Sequence, residues 1–433
     1  MNFYSTENIY NKTTFRNALF SGMPQDNGLY MPEEIPNLSK YINKNTNMTL
    51  QEVGYLISSK YIENELSNND IYDIVEKSLS FEAPNKHIYD SIYCLELFHG
   101  PTLAFKDFGA RFMARCMEKF IINNNRHTNI LVATSGDTGS AVAQGFYNVE
   151  GVNVIILYPK GKVSHIQEKQ LTTLDKNIYT LEGKGTFDDC QKLVKQAFLD
   201  SKLNEKLNLS SANSINIARL IPQSFYYISS YFNLQDKSKE TIFCVPSGNF
   251  GNITAGLLSK KMGLPASCFI GATNLNKIVP DFFETETYNP RESIQTISNA
   301  MDVGNPSNMN RIMSLYKNLN FLKQDMKSWY FDENETKDSI SKIYDKYKYL
   351  LDPHSAIGLL GIEKYLKNKT NDVNGIFLGT AHPAKFADVL EDVLQEKIVM
   401  PDSLARIIKK KKKAKLIENN YMEFYYYLLN TIQ

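Results

Sequence analysis

Apolar residues along this chain gather into short runs separated by turn signals, and the runs recur in a fixed order. "NILVAT" (129–134) precedes the turn "SGDTGS" and the helix-like "AVAQGFYNV", and "VNVIILYP" (152–159) follows. Strand, glycine turn, helix, strand is a βαβ unit. The order returns at "TIFCVP" (241–246), "SGNFGN", "ITAGLLSKKM" and "SCFIGAT" (267–273). It starts again at "NGIFLGT" (374–380), ahead of "AHPAKFADVLEDVL". Such runs between helices predict buried parallel strands, hence an α/β fold. In "FKDFGARFMARCMEKFI", Phe108, Phe112, Cys116 and Phe120 fall on every fourth position, which predicts a helix beginning just after Lys106. Residues 1–85 mix short helical patterns with turns. Within them "SGMPQDNGLYMPEEIP" (21–36) reads as a loop-rich lead-in rather than part of a regular sheet.

Composition narrows the class. A chain of 433 residues suits two or three structural units around a sizeable core. With 48 basic and 47 acidic residues, the net charge of +1 argues against nucleic-acid or membrane-surface binding. Cys94, Cys116, Cys190, Cys244 and Cys268 are scattered, with no C-x-x-C pair and no Cys/His metal spacing, so no metal is expected. They read as reduced thiols packed as small apolar residues. The start of the chain shows no secretory signal and no apolar run reaches bilayer length, so the expectation is a soluble cytoplasmic protein. The one conspicuous charge run, "KKKKKAK" (409–415), reads as a solvated surface or a fraying helix end.

Two turns and a lysine carry candidate chemistry. "SGNFGN" (247–252) follows a strand and opens a helix, so free backbone N–H groups and the helix dipole face whatever lies there. Gly248 and Gly251 let the backbone come close, while Ser247, Asn249 and Asn252 offer side-chain hydrogen bonds. The turn is neither a P-loop nor a full G-x-G-x-x-G, and an ordinary strand–helix turn shares its residue types. "TSGDTGS" (134–140) repeats the layout: Ser135, Thr138, Ser140 and the amides could hold a carboxylate or phosphate, or simply cap a helix. Asp137 is its awkward member, because a carboxylate near an anion needs a donor of its own. Lys106, between Phe105 and Phe108 at a helix start, has the setting that lowers a lysine pKa as Schiff-base chemistry requires, although isolated lysines usually lie on the surface. A candidate Schiff-base lysine together with a phosphate cradle matches pyridoxal phosphate (PLP), whose aldehyde needs an amine and whose phosphate needs amides.

The motifs "DNGLYMP", "FHGPTLAFKDFGARF", "ATSGDTGSA", "YPKGKVSHIQEKQ", "NSINIAR", "VPSGNFGN" and "LGTAHPAKF" span nearly the whole chain. Together they resemble the threonine synthase family, PLP enzymes of the tryptophan-synthase-β group, fold type II. The resemblance implies two α/β subdomains with mostly parallel sheets and an N-terminal lead-in domain. On that basis residues 1–85 form the N-terminal domain and 86–433 the catalytic core, with a smaller subdomain at about 129–215. It implies that Lys106 forms the Schiff base with PLP, that Gly248, Asn249, Phe250, Gly251 and Asn252 cradle its phosphate, and that the Thr380 hydroxyl meets the pyridine nitrogen. Asp137 would lie beside the ring, its turn receiving the substrate carboxylate, and Thr138, Asn213, Ser214 and Arg219 would bind the substrate phosphate.

The implied reaction takes O-phospho-L-homoserine and water to L-threonine and phosphate by γ-elimination and β-hydration. A PLP-dependent phospholyase, a threonine dehydratase and a non-enzymatic PLP- or nucleotide-binding protein are the competing readings. The expected partner is a small-molecule substrate, and the expected assembly a monomer or homodimer. "YSTENIY" lacks the family's Arg-Gly after Ser-Thr, and His165 stands where proline is usual. His165 reads as a loop or surface residue, whereas His99 and His382 flank the motifs as either structural or cofactor-contacting groups.

Overall fold

The apolar runs assemble into two largely parallel sheets in this computed structural model, which describes residues 1–44, 47–62, 64–122, 127–134, 136–367, 369 and 372–432. The larger sheet orders its six strands Met326–Tyr330, Ala266–Thr273, Glu240–Pro246, Val373–Gly379, Ile92–Glu96 and Asn85–Tyr89. Its pairs are parallel except the last, which is antiparallel. The smaller sheet is all parallel, ordered Lys415–Ile417, Ile178–Gly183, Val152–Pro159, Thr128–Ala133 and Leu209–Ser210.

Burial on both faces explains why these strands read as continuous apolar runs. Val154 and Ile156 enter a core shared with the N-terminal segment, the larger sheet and the helix Lys106–Ile122. Their neighbours Ile155 and Leu157 pack on the other face, beneath the helices Phe187–Leu199 and Tyr421–Thr431. All four are fully buried, and each such side chain is worth roughly 1.5–3 kcal/mol. The helix beginning at Lys106 buries Phe108, Phe112, Cys116 and Phe120, the fourfold-spaced stripe. It presses against the helix Asp137–Gly145 closely enough that a Cβ on Gly145 would come within 3.1 Å of the Ala110 carbonyl oxygen. All five cysteines are buried and unpaired.

One expectation is corrected and another extended. Part of the 21–36 segment does belong to a regular sheet: Tyr30–Pro32 pairs antiparallel with Asn2–Ser5, which also pairs with Lys12–Thr14. Three residues are too few to show alternation, and Pro32 stands at the strand's end, where a missing N–H is tolerated. The lysine run keeps to the surface as expected, with Lys409, Lys410, Lys411, Lys413 and Lys415 exposed, but it is pinned there. Lys409 caps the helix Asp402–Ile408, after which Lys412 reaches Glu168 at 2.7 Å and Glu182 at 2.9 Å. Lys413 reaches Asp175 at 2.7 Å, and Lys415 opens the edge strand on the smaller sheet. Carboxylates distant in sequence turn the run into a strap.

One buried cation joins three parts of the chain near the site. Arg311, fully buried on the helix Met309–Tyr316, donates from Nε to the Tyr30 carbonyl at 3.1 Å and from Nη2 to that of Ile215 at 2.6 Å. Its Nη1 serves Asn308 Oδ1 at 2.8 Å and the Ser214 carbonyl at 3.3 Å. Burial lowers its pKa to about 9, and among the described residues no carboxylate pairs with it. Arg311→Met should therefore leave several buried acceptors unsatisfied and cost about 3 kcal/mol or more in urea denaturation. A variant as resistant as the parent would remove Arg311 from this role.

Candidate active site

Sheet register brings the expected cofactor residues to one edge. Ligands in open α/β sheets gather beyond the carboxyl ends of parallel strands. Cys244 pairs with Phe377, so three residues further on Ser247 lies level with Thr380. The strand before Thr380 pairs on its other side with Ile92–Glu96. After that strand the chain reverses through Leu103, whose φ of 56° is left-handed. It then returns alongside its neighbour: Ala104 bridges Ala381, Phe105 N–H donates to the Thr380 carbonyl at 2.9 Å, and Lys106 begins its helix. Lys106, Thr380 and Ser247 thus emerge from three adjacent strands.

The turn at 247–252 has the shape of a phosphate cradle. Phe250 adopts φ 57° and makes no side-chain cap, so the first N–H groups of the helix Gly251–Lys261 lack intrahelical acceptors. A Cβ on Gly248 would lie 2.7 Å from Met301 Cα and 3.0 Å from the Ala300 carbonyl oxygen, so only glycine enters without displacing backbone. Ser247 Oγ donates to the Val245 carbonyl at 2.9 Å. Asn249 Nδ2 donates to Ser214 Oγ at 2.7 Å, and its Oδ1 accepts from Ser307 N–H at 2.6 Å and Oγ at 2.9 Å. These two side chains shape the turn. Asn252 accepts at Oδ1 from the Tyr226 and Tyr227 hydroxyls, each at 2.6 Å, while its buried Nδ2 has no protein partner. Unpaired amides, an unpartnered donor and a backbone that only glycine permits fit the PLP phosphate.

Lys106 is partly buried, its Nζ 5.4 Å from the Phe105 ring centroid. Burial lowers its pKa, the charge of Asp137 works against that, and those of Lys385 and Arg219 reinforce it. Asp137, the first residue of its helix, finds the donors it requires: Lys385 Nζ at 2.5 Å and Gln167 Nε2 at 3.0 Å. Burial alone would raise its carboxyl, but the Lys385 and Lys106 charges and those two donors hold it at about 2. The neighbouring Asp107 is fully buried and accepts from Thr102 N–H at 2.9 Å and Oγ1 at 2.7 Å. Its carboxyl is pushed up to about 6, burial outweighing those bonds.

The segment with Asn213, Ser214 and Arg219 follows Leu209–Ser210, the strand beside Thr128–Ala133 that leads to Asp137. Arg219 is 3% exposed, and its Nη1 donates to the Ala212 carbonyl while Nε has no partner. Burial pulls its pKa down to about 10, with Asp107 opposing. It lies against the Lys106 helix, where a Cβ on Gly109 would come 2.9 Å from Arg219 Nε. Ser214 joins this segment to the 247–252 turn through Asn249. Asn213 and Thr138 are partly buried, Ser140 Oγ is buried without a partner, and Ser135 lies outside the described residues. His382 caps the turn Pro383–Phe386, accepting from Ala384 N–H at 3.1 Å, and His99 meets Glu96 at 2.8 Å. His165 is exposed at the start of the helix His165–Thr172.

Sequence reasoning missed Lys385, Gln167, Gln170, Asn308 and Arg311. Lys385 and the two glutamines stand inside quoted motifs, and a lysine among the small and apolar residues of "GTAHPAKF" was the available signal. Nothing local distinguishes Arg311 from a surface arginine.

Three family models match in succession: "Threonine synthase N terminus" over residues 2–79, "Pyridoxal-phosphate dependent enzyme" over 79–374 and "Threonine synthase, C-terminal" over 355–424. A threonine synthase of Haemophilus influenzae is 41% identical over 432 residues, covering 100% of both chains. The crystal structure of threonine synthase from Escherichia coli matches with TM-score 0.92 and 38% identity over 99% of this chain and 100% of that one. PLP-bound threonine synthase from Brucella melitensis matches with TM-score 0.95 and 31% identity over 100% of each.

The crowding at Gly248 sets a test of the cradle. Gly248→Ala must open the turn against backbone atoms, so PLP affinity should fall at least about tenfold in absorbance titrations of the stripped protein. An alanine variant that binds PLP like the parent would show that the turn does not hold the phosphate.

Proposed function

The chain belongs to the threonine synthase family, PLP-dependent lyases of fold type II, and from that premise we propose that it acts on O-phospho-L-homoserine through Lys106. Water enters, and L-threonine and inorganic phosphate leave. What carries this reading is the grouping of a desolvated lysine, a glycine cradle and a separate buried arginine with an unpartnered Nε.

Bound PLP supplies an electron sink for the substrate's Cα and Cβ carbanion chemistry. Lys106 would hold the cofactor aldehyde and, as a free amine, would move protons at Cα and Cβ; its burial favours that free form. Gly248, Asn249, Phe250, Gly251 and Asn252 hold the cofactor phosphate, chiefly through backbone N–H groups and Asn252 Nδ2, with Ser247 bracing the turn. The Thr380 hydroxyl would serve the pyridine nitrogen, where as a neutral group it would not hold a proton as a carboxylate would. Asp137 stays ionised beside the ring.

Arg219, with Asn213, Ser214 and Thr138, binds the substrate phosphate, which leaves as the Cγ–O bond breaks. Water then adds its oxygen at Cβ. Ser135 and the other groups of its turn receive the substrate carboxylate. We take residues 1–85 as an N-terminal domain and 86–433 as the catalytic core, its smaller subdomain at about 129–215. We assign the chain to the cytoplasm as a monomer or homodimer; five buried, unpaired thiols support a reducing compartment.

Incubating the purified chain and PLP with O-phospho-L-homoserine should release phosphate and threonine in equal amounts. Phosphate with 2-oxobutyrate and no threonine would make the chain a phospholyase instead. Lys106→Ala should abolish the imine absorbance and cut turnover by at least about a thousandfold. A Lys106→Ala chain with full turnover would sink the assignment. Arg219→Ala should lower kcat/KM for the phosphorylated substrate by roughly a hundredfold, with the imine band intact. Unchanged kinetics would move the phosphate subsite elsewhere.

A further inference from the structure

A charge pair that no step above uses lies beside Lys106. The Lys385 side chain has no exposure and Asp137 is 4% exposed, yet their charged atoms meet at 2.5 Å. The pair spans the two sheets, because Lys385 follows the strand Val373–Gly379 and Asp137 follows Thr128–Ala133. Lys385 Nζ also donates to the Thr102 carbonyl at 2.9 Å, and Gln170 Nε2 donates to the same oxygen at 3.1 Å. Thr102 in turn holds Asp107, next to Lys106. A cation from one sheet, a carboxylate from the other and the lysine loop therefore meet at one point.

Cohesion is a weak reason for this arrangement, since an apolar pair of similar volume stabilises at least as well. Charge supplies a stronger one. An unpaired Asp137 would hold a proton on Lys106. We propose that Lys385 is a positioning residue that neutralises Asp137, so that Lys106 is kept as a neutral amine. The proposal rests on Lys106 being the amine that meets the cofactor.

The charged groups acting on Lys106 are Asp137, which attracts its proton, and Lys385 and Arg219, which repel it, all within a buried setting that already disfavours the charge. Without Lys385, Lys106 loses a repelling cation and faces an uncompensated carboxylate. Its proton is then held to higher pH. Replacing both members of the pair removes one influence of each sign, so the two changes offset.

The test follows imine formation rather than turnover. Full-length chain is stripped of PLP, and the growth of the imine band on adding PLP is timed across a pH series. Lys385→Met should move the midpoint up by about one pH unit and slow imine formation at neutral pH about tenfold. Lys385→Gln, which keeps a donor for Thr102, should do the same. Lys385→Arg should keep the parent midpoint, and the Lys385→Met, Asp137→Asn double variant should return most of the way to it. A folded Lys385→Met or Lys385→Gln chain with the parent midpoint would overturn the proposal, as would a shift of equal size in the double variant. Borohydride trapping and peptide mass keep the premise separate: a pyridoxyl group on another lysine would overturn the role of Lys106 itself.

Discussion

Parallel pairing of Val373–Gly379 with Glu240–Pro246 on one side and Ile92–Glu96 on the other is the constraint on which the site depends. Each strand ends at the same edge, so each must release its chain there, and the released residues are Thr380, Ser247 and the loop to Lys106. A parallel strand cannot turn back by a hairpin. It must pass through a helix, and the amino ends of those helices collect at the same edge. Unpaired N–H groups beside a lysine are thus a consequence of the topology before they are a binding site. The short bridge between Ala104 and Ala381 then fixes where Lys106 begins its helix.

Charge in a low-dielectric interior is the second constraint. Asp137, Lys385, Arg219 and Arg311 are all shielded from water and Lys106 partly so, and a lone buried charge is expensive. The chain resolves each differently. Arg311 is surrounded by carbonyl oxygens and an amide, which suits a structural joint. Asp137 has a full cation at contact distance, strong enough to outweigh its burial. Arg219 keeps an unpartnered Nε, and Asn252 an unpartnered Nδ2. The Asn249–Ser214 hydrogen bond ties together the two segments that carry them.

Much of the site could be read from local residues. Glycines at 248 and 251, a lysine at the start of a fourfold apolar stripe and polar turns after β-branched runs each have a mechanism that acts over a few positions. The difficulty that Asp137 posed was visible too, because a carboxylate in an anion turn demands a donor. Which donor answered had only a weak local signal, the small and apolar neighbours of Lys385. The strand Tyr30–Pro32 was misread, and the ion pairs of the 409–415 strap went unseen, for a related reason. A three-residue strand and a run of like charges take their meaning from partners far along the chain.

By itself, then, the sequence determined the α/β class, the helix from Lys106, the two anion turns and, through its motifs, the family, because periodicity, turn chemistry and motif spacing are properties of neighbouring residues. Only the tertiary structure decided which charges are buried together, which side chains are spent on bracing the turns and which donors remain open. Those outcomes depend on contacts such as Tyr30 with Arg311, 281 positions apart, and on the exclusion of water that no single segment can produce.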